Sequence, residues 1–497
     1  MPRLLYVAHD QLHREYGVMK GAIPGEDVVV FVESTRQLNN RTWHQQRLFY
    51  LLASAQHFAQ ELELQGFEVH YIKAETTKAG IEQVKNKMKP DVILAVEPSS
   101  YRLRESLLGL VNFIPNDFFL TNRNDFLNWA SAQKKLLMEN FYRIQRQQLN
   151  LLMDGDKPMG GSWNYDSENR KAVPKDHSFP EYLEHERDEL DLKIVSELKS
   201  SSYSMWGDEP DTTWATTRAG ALRQLNHFIE NHFQDFGPYE DAMTSKNWAL
   251  HHSLLSPYLN NGLLHASEVI EKAVAKFNTN AIPLSSAEGF IRQIIGWREY
   301  VHGLYWFFGE SYRDLNFWKH TNPLPALFDD PNRTVMNCLK EVISDVKKRG
   351  WVHHIPRLMV LSNFAQLARI SPQALLDWMR RVFIDATDWV MVPNVIGMSL
   401  NADGGKMMSK PYIAGGGYIS KMSDYCGGCR FNPKLRTGED ACPFTTLYWH
   451  FIDENFDELR KNHRMSQQIM GIKKLKDLDE VKNRGDFLLE EIRRDNL

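Results

Sequence analysis

The chain has 497 residues, 42% hydrophobic and 25% charged, with a formal net charge of −4. That length exceeds one ordinary domain and buries sizeable cores without disulfide staples. The charge excludes a chain that coats nucleic acid along its whole surface. The longest apolar run near the start, Val28–Val32, is too short for a membrane span, and Met1–Val7 has one arginine and no long apolar stretch. The expectation is a cytoplasmic protein with no membrane partner.

Taken in chain order, the first 130 residues alternate short apolar strands with amphipathic helices. Leu4–Ala8, Val28–Glu33, Phe67–Lys73 and Asp91–Val96 read as strands, with helices at Arg47–Gln65 and Ile81–Lys89. This rhythm predicts a Rossmann-like, mostly parallel sheet covered on both faces. No G-x-G-x-x-G follows the first strand, so the dinucleotide fingerprint is missing. Ligands of such sheets sit beyond the strand C-termini, where His9, Asp10, Gln11 and Glu33–Thr35 fall.

A long helix is predicted over Asp125–Met153, followed by a linker rich in Gly, Pro and Asp, D-G-D-K-P-M-G-G-S-W-N-Y-D-S-E-N-R, at 154–170. After about residue 205 the pattern becomes helical, with helices predicted at Thr217–Phe233, Leu263–Phe277, Ala287–Tyr305, Val335–Arg349, Leu358–Ala368 and Pro372–Phe383. The expected division is an α/β domain at 1–130, a helix and linker at 131–205, and an all-α domain at 206–497.

The four cysteines, Cys338, Cys426, Cys429 and Cys442, all lie in the helical half, spaced C-x87-C-x2-C-x12-C. A C-x2-C turn aims two thiolates at one centre, and four thiolates suit structural zinc or an iron–sulfur cluster. Spacing alone does not choose between the metals. Residues 331–437 hold 15 Lys and Arg against 7 Asp and Glu, a local net of +8. Such a segment is either a solvated basic face or a phosphate-contacting patch.

In H-S-L-L-S-P-Y-L-N-N-G (252–262), Ser253 and Ser256 offer hydroxyls either to a phosphate or to helix capping. G-W-R-E-Y places Arg298 on a helix, and Arg357 and Asp385 are candidates for an ion pair. The stretch W-V-H-H-I-P-R-L-M (351–359) sets His353 and His354 side by side among apolar residues.

In this order, S-x-L-S-P-Y-L-x-x-G, W-R-E-Y, G-W-x-H-H-x-x-R and I-D-A-x-D resemble the cryptochrome/photolyase family. S-D-Y-C-x-x-C, the following A-C-P-F, and the linker G-G-S-W-N-Y-D-S-E-N-R are similar to its iron–sulfur bacterial branch. The resemblance covers nearly the whole chain. It implies FAD in the helical domain, contacted by Tyr239, Ser253, Ser256, Arg298, Arg357, Asp385 and Asn394. It implies a 4Fe–4S cluster on the four cysteines, and a lumazine antenna, 6,7-dimethyl-8-ribityllumazine, near Asp10, Glu33 and His44. Trp378 matches a tryptophan that passes electrons to the flavin. Many photolyases place Asn six residues after the position of Asp385; here that residue is Met391.

G-W-x-H-H is similar to the stretch in (6-4) photolyases, which reverse the (6-4) pyrimidine–pyrimidone lesion of ultraviolet-damaged DNA. That chemistry needs a proton donor near neutral pH, the range of imidazole. His354 is the expected donor and His353 its support. Tyr412 and Tyr418 are expected to shape the pocket for a flipped-out lesion, and Lys406 and Lys410 to meet phosphates. The protein is expected to act as a monomer. The rival expectations are a blue-light photoreceptor without repair activity and repair of cyclobutane dimers, which needs no acid.

Overall fold

The computed structural model describes residues 2–496. Its sheet has five parallel strands, β1 (Leu4–Tyr6), β2 (Val28–Ser34), β3 (Glu68–Ala74), β4 (Ile93–Val96) and β5 (Asn112–Ile114), in the order β3-β2-β1-β4-β5. The valine run of β2 is buried on both faces, as an interior parallel strand requires. Side-chain alternation splits the sheet between two cores. Leu4, Tyr6, Val28, Val30 and Val32 pack with Ile81 and Val84 on one face. Leu5, Val29 and Phe31 join the large core that runs on into the helical half. This shared core seats the sheet on the helical half. The helices Gln45–Leu64 and Thr77–Met88 start on side-chain caps, from His44 and Thr76.

The predicted helix over Asp125–Met153 is two helices, Arg123–Ser131 and Met138–Gln148. Tight turns close the first, with Ala132 N and Gln133 N donating to Trp129 O and Ala130 O at 3.1 Å. The second folds back so that Phe141 meets Phe126 at 5.1 Å between ring centroids. Both helices feed one core, which is why their apolar spacing reads as continuous. Gly303 is needed at this junction, because a Cβ there would collide with the Phe126 ring.

The helical half contains the expected helices, among them Arg218–Asn231, Ala266–Phe277, Asn337–Arg349 and Pro372–Val382. The run from Leu284 to Phe308 is helical throughout but widens into a π-helical stretch at Arg292–Arg298. Two more π stretches occur at Pro356–Ser362 and Pro393–Ser399. Such wide turns are rare and concentrate at functional sites. They carry Arg298, Arg357 and Asn394, all candidate flavin contacts. No helix among the described residues is long and apolar enough to cross a membrane.

Candidate active site

Asp385 sits on the short connection after the helix Pro372–Val382, 6% exposed. Arg357 grips its carboxylate with two bonds of 3.0 Å, and Ser256 Oγ donates to Oδ2 at 2.7 Å. Arg357 also donates to Val352 O at 2.7 Å and lies 4.0 Å over the Phe383 ring. The backbone of the connection is fixed as well: Asn260 donates to Asp385 O at 2.8 Å, and Arg47 to the carbonyls of Phe383, Ile384 and Ala386 at 2.9, 3.0 and 2.6 Å. Arg47 comes from the first long helix of the α/β half. Burial pulls its guanidinium down to about 10. Nothing in its helical pattern marked it as an interdomain anchor.

A cavity of about 670 Å³ opens between the C-terminal ends of the strands and this connection, within the range of small-molecule sites. Asp10, Glu33, Arg47, Asn260, Asn261 and Asp385 are among its walls. Asn261 Nδ2 is buried there without a hydrogen-bond partner. Burial raises the Asp10 carboxyl to about 6. The cavity thus joins two antenna candidates and one flavin candidate. Ser256 and Arg357 stand behind Asp385 and hold it rather than face the cavity.

Six candidates are engaged in other contacts. His44 does not line the cavity: its Nε2 meets Val346 O and Lys347 O, each at 2.9 Å, and its Nδ1 caps Gln46 N. These carbonyls lie in the last turn of the helix Asn337–Arg349, where they also accept from Gly350 N and Asp208 N, and the ring is spent on docking. Ser253 is used locally, its Oγ accepting from Leu255 N at 3.4 Å. Tyr239 packs against His177 and His251, with centroids at 4.6 and 5.8 Å. Asn394 donates back to Val390 O at 2.9 Å. Arg298 is paired with buried Glu299 at 2.7 Å, stacks on Phe119 at 4.2 Å and reaches Phe118 O. Trp378 is fully buried, bonded through Nε1 to Asp329 and edge-on to Phe383, and its ring lies 6.4 Å from that of Trp206.

The paired histidines fall at the start of the helical run that continues into Pro356–Ser362, His353 just before the first helical residue and His354 on it. Their environments differ sharply. His353 is 3% exposed and neither ring nitrogen has a partner, whereas the His354 side chain is 49% exposed. His252 stacks on His353 at 4.2 Å and meets His354 edge-on at 5.7 Å. Burial drives His252 and His353 well below the usual imidazole range, with neighbouring cationic groups adding to the effect. His354 Nε2 faces Asp241 at 3.4 Å. Beside it, Glu240 is buried, accepts from Asn169 at 3.3 Å and from Gln293, and is raised by burial to about 7.

Tyr412 and Tyr418 lie within the electrostatic reach of Asp241, and burial raises both phenols, Tyr418 to about 12. The segment that leads to them is pinned by Asp403, which accepts from Tyr312 at 2.6 Å and from Gly405 N and Met407 N, and by Asn363, which bonds both Ala414 O and Ala414 N. Arg170, from the linker, also faces Asp241, at 3.7 Å. Asp241, Glu240 and His252 were not picked out from the sequence. The adjacent acids of Y-E-D belong to no motif that marks a site.

All four cysteines are free and line one small cavity with Met336, Ile419, Tyr425, Phe431 and Phe444. Burial and the neighbouring thiols push Cys338 and Cys426 up, and burial takes Cys442 to about 11. A cation at their centre would relieve this. Gly427 and Gly428 need no left-handed backbone, since neither has positive φ. Much of the basic 331–437 segment is consumed internally, with Arg349, Arg357, Arg369, Arg380, Arg381 and Arg436 all in ion pairs. Lys406 stays exposed and Lys410 half-buried.

A parallel sheet seated on a helical half is the architecture of the photolyase and cryptochrome structures that this chain resembles. The chain is similar in shape to a bacterial class III photolyase from Agrobacterium tumefaciens, with a TM-score of 0.55 and 14% identity over 99% of this chain and 98% of that one. It is likewise similar to the Synechocystis sp. PCC6803 cryptochrome, with a TM-score of 0.53 and 12% identity over 80% and 82%. Residues 5–214 match the family described as deoxyribodipyrimidine photo-lyase-related protein. A (6-4) photolyase of Agrobacterium fabrum is 38% identical over 480 residues, 94% of each chain. The chain belongs to the photolyase family. Membership implies FAD as its cofactor.

Proposed function

We propose that this protein is a light-dependent (6-4) DNA photolyase. The observation that carries the reading is the half-exposed His354, backed by buried His353 and His252 and faced by Asp241, with Tyr418 within the electrostatic reach of that carboxylate. The relative at 38% identity bears the same activity in its name. The residues fit a flavin: a cavity of sufficient size reaches Asp385, and Asn261 Nδ2 is buried there with no partner. When bound, reduced FAD supplies the light-excited electron and receives it back.

The chain does the rest. Arg357, Ser256 and Asn260 fix Asp385, and Arg47 fixes the carbonyls around it. His354 gives a proton to the oxygen function that must return to the 5′ base and recovers it afterwards. Asp241 orients the ring, His353 and His252 wall it from behind, and Tyr412 and Tyr418 pack against a flipped-out lesion. Flipping brings the reacting bonds to the imidazole at the cost of unstacking, which is low for damaged bases. Trp378, buried against Phe383, would serve as the internal electron donor when the flavin is bound. Lys406 and Lys410 contact phosphates on damaged DNA, and the protein acts as a monomer. In this reading Asp10 and Glu33 hold the lumazine antenna, the four cysteines hold a 4Fe–4S cluster, and the working units are 1–130, 131–205 and 206–497.

The test is blue-light irradiation of the reduced protein with oligonucleotides that carry either a (6-4) lesion or a cyclobutane dimer. Reversal of the (6-4) lesion alone is the expected result. Reversal of neither would overturn the reading. Brown absorbance with iron in the purified protein supports the cluster, and a colourless native protein containing zinc would refute it.

A further inference from the structure

The three histidines have a second capability. One ring nitrogen from each of His252, His353 and His354 lies within 4.8 Å of the others. We propose that these rings form a transition-metal site for a borderline ion such as Zn²⁺, whose occupation withdraws His354 from proton transfer. The site itself stands independently of the repair reading; the effect on proton transfer rests on it.

Three observations support the site. Both nitrogens of His353 and Nε2 of His252 are buried with no hydrogen-bond partner, so no hydrogen bond competes for a lone pair on them. His252 stacks on His353 at 4.2 Å and meets His354 edge-on at 5.7 Å, so the three rings crowd about one point. Asp241, 3.4 Å from His354 Nε2, is placed as the carboxylate partner that metal-bound imidazoles usually have. The donor set selects the ion. Three imidazoles suit Zn²⁺, Ni²⁺ or Cu²⁺, whereas Mg²⁺ and Ca²⁺ require oxygen ligands. With Zn–N bonds of about 2.0–2.1 Å, the three nitrogens close to roughly 3.4 Å apart around the ion. His354, half exposed, is the ring free to make that movement. Its exposure also leaves the fourth position open to water, as in three-histidine zinc sites.

The consequence is a direct competition. A metal on His354 occupies the lone pair that a proton uses, and a lesion cannot approach a ring that is coordinated. Repair would be shut down by zinc and restored by a chelator.

The experiment is a zinc titration of the holoprotein in the dark, by calorimetry and without DNA, on wild type, His252→Ala and His354→Ala. Flavin content and circular dichroism are matched beforehand. One Zn²⁺ per chain is expected for wild type, weakened roughly 100-fold or more in either variant and untouched by millimolar Mg²⁺. Wild type that takes no zinc, or zinc binding equally strong in both variants, overturns the site; the latter puts the ion elsewhere, as at the cysteines. Photorepair of a (6-4) oligonucleotide is then followed with and without Zn²⁺. A rate that falls at least ten-fold and recovers with chelator supports the competition. Zinc seated on the histidines with an unchanged rate overturns the competition and leaves the repair reading standing. Metal-free protein that repairs nothing overturns the repair reading and the competition with it, and leaves the binding isotherm as evidence for the site.

Discussion

The Asp385 node and the histidine pocket are built on opposite plans. At the node the carboxylate and the backbone oxygens around it are all taken. Arg357 and Ser256 take the carboxylate, Asn260 takes the backbone oxygen, and Arg47 takes three flanking carbonyls. In the pocket the buried rings are left unspent, with His353 and His252 carrying unpartnered nitrogens behind an exposed His354. A fully satisfied network rigidifies its surroundings, whereas groups with free donors and acceptors have work left to do. The node is the frame, and the pocket is where chemistry is placed.

If that contrast is right, damage to the node shows up as lost structure and damage to the pocket as lost reaction. Arg357→Ala leaves Asp385 buried and unpaired, so unfolding free energy should fall by about 3–5 kcal/mol, read by urea denaturation, with flavin lost on gel filtration. Arg357→Lys should recover only part of this, because an ammonium cannot make the two-pronged grip. His354→Ala should lower the rate of (6-4) repair by about 10²–10⁴ while stability stays within about 0.5 kcal/mol and flavin content is unchanged. A His354→Ala protein that repairs at the wild-type rate would remove this ring as the proton donor.

The sequence made the frame easier to see than the pocket, for physical reasons. The valine-rich strands and the helical periodicities are local signals, and the motif around Ser256, Arg357 and Asp385 is carried by a family resemblance. The edge strand Asn112–Ile114 is three residues long and not buried, so it leaves no β pattern. Glu240 and Asp241 follow a short helix, Phe233–Tyr239, interrupted by Pro238. Two adjacent acids there carry no meaning until the fold sets them beside His354 and Arg292. His44 shows the reverse error. The resemblance alone made it an antenna candidate, and its ring bonds the carbonyls of a helix about 300 residues away.

Glu240 tests the pocket through pH. Its carboxyl, normally near 4.5, is held protonated by burial up to about 7. In the unfolded chain the proton is released near the ordinary value. The native state therefore binds the extra proton between the two, and stability falls as pH rises through that window. The stabilising contribution is full below about 4.5 and gone above about 7. Glu240→Gln removes the titration. Its stability relative to wild type should rise by roughly 2–4 kcal/mol between pH 4.5 and 7.5, measured as the difference in denaturation midpoints. A flat difference across that range would mean that Glu240 is ionised in the folded protein and that the pocket is wetter than its burial implies.

The smallest effect concerns the thiols, unspent donors like those of the histidine pocket, set against an apolar wall. Gly416 begins the helix Gly416–Met422, and a Cβ there would lie 2.7 Å from Cys442 Sγ and 3.1 Å from Thr445 Oγ1. Gly417, the next residue, has nothing within 4 Å of its Cβ position. On propensity alone, Gly→Ala in a helix is worth up to about 1 kcal/mol of stabilisation. At 416 that gain meets an overpacking cost of about 1–3 kcal/mol, because the obstructing atom is a sulfur fixed at the start of the helix Pro443–Glu454. Gly417→Ala should therefore be neutral or slightly stabilising, and Gly416→Ala about 1 kcal/mol destabilising, with less metal retained at the cysteines. Thermal melts and metal analysis on the pair read both. Equal behaviour of the two variants would show that Cys442 has room to move, and the four thiols would then not form the rigid cage that the apolar wall suggests.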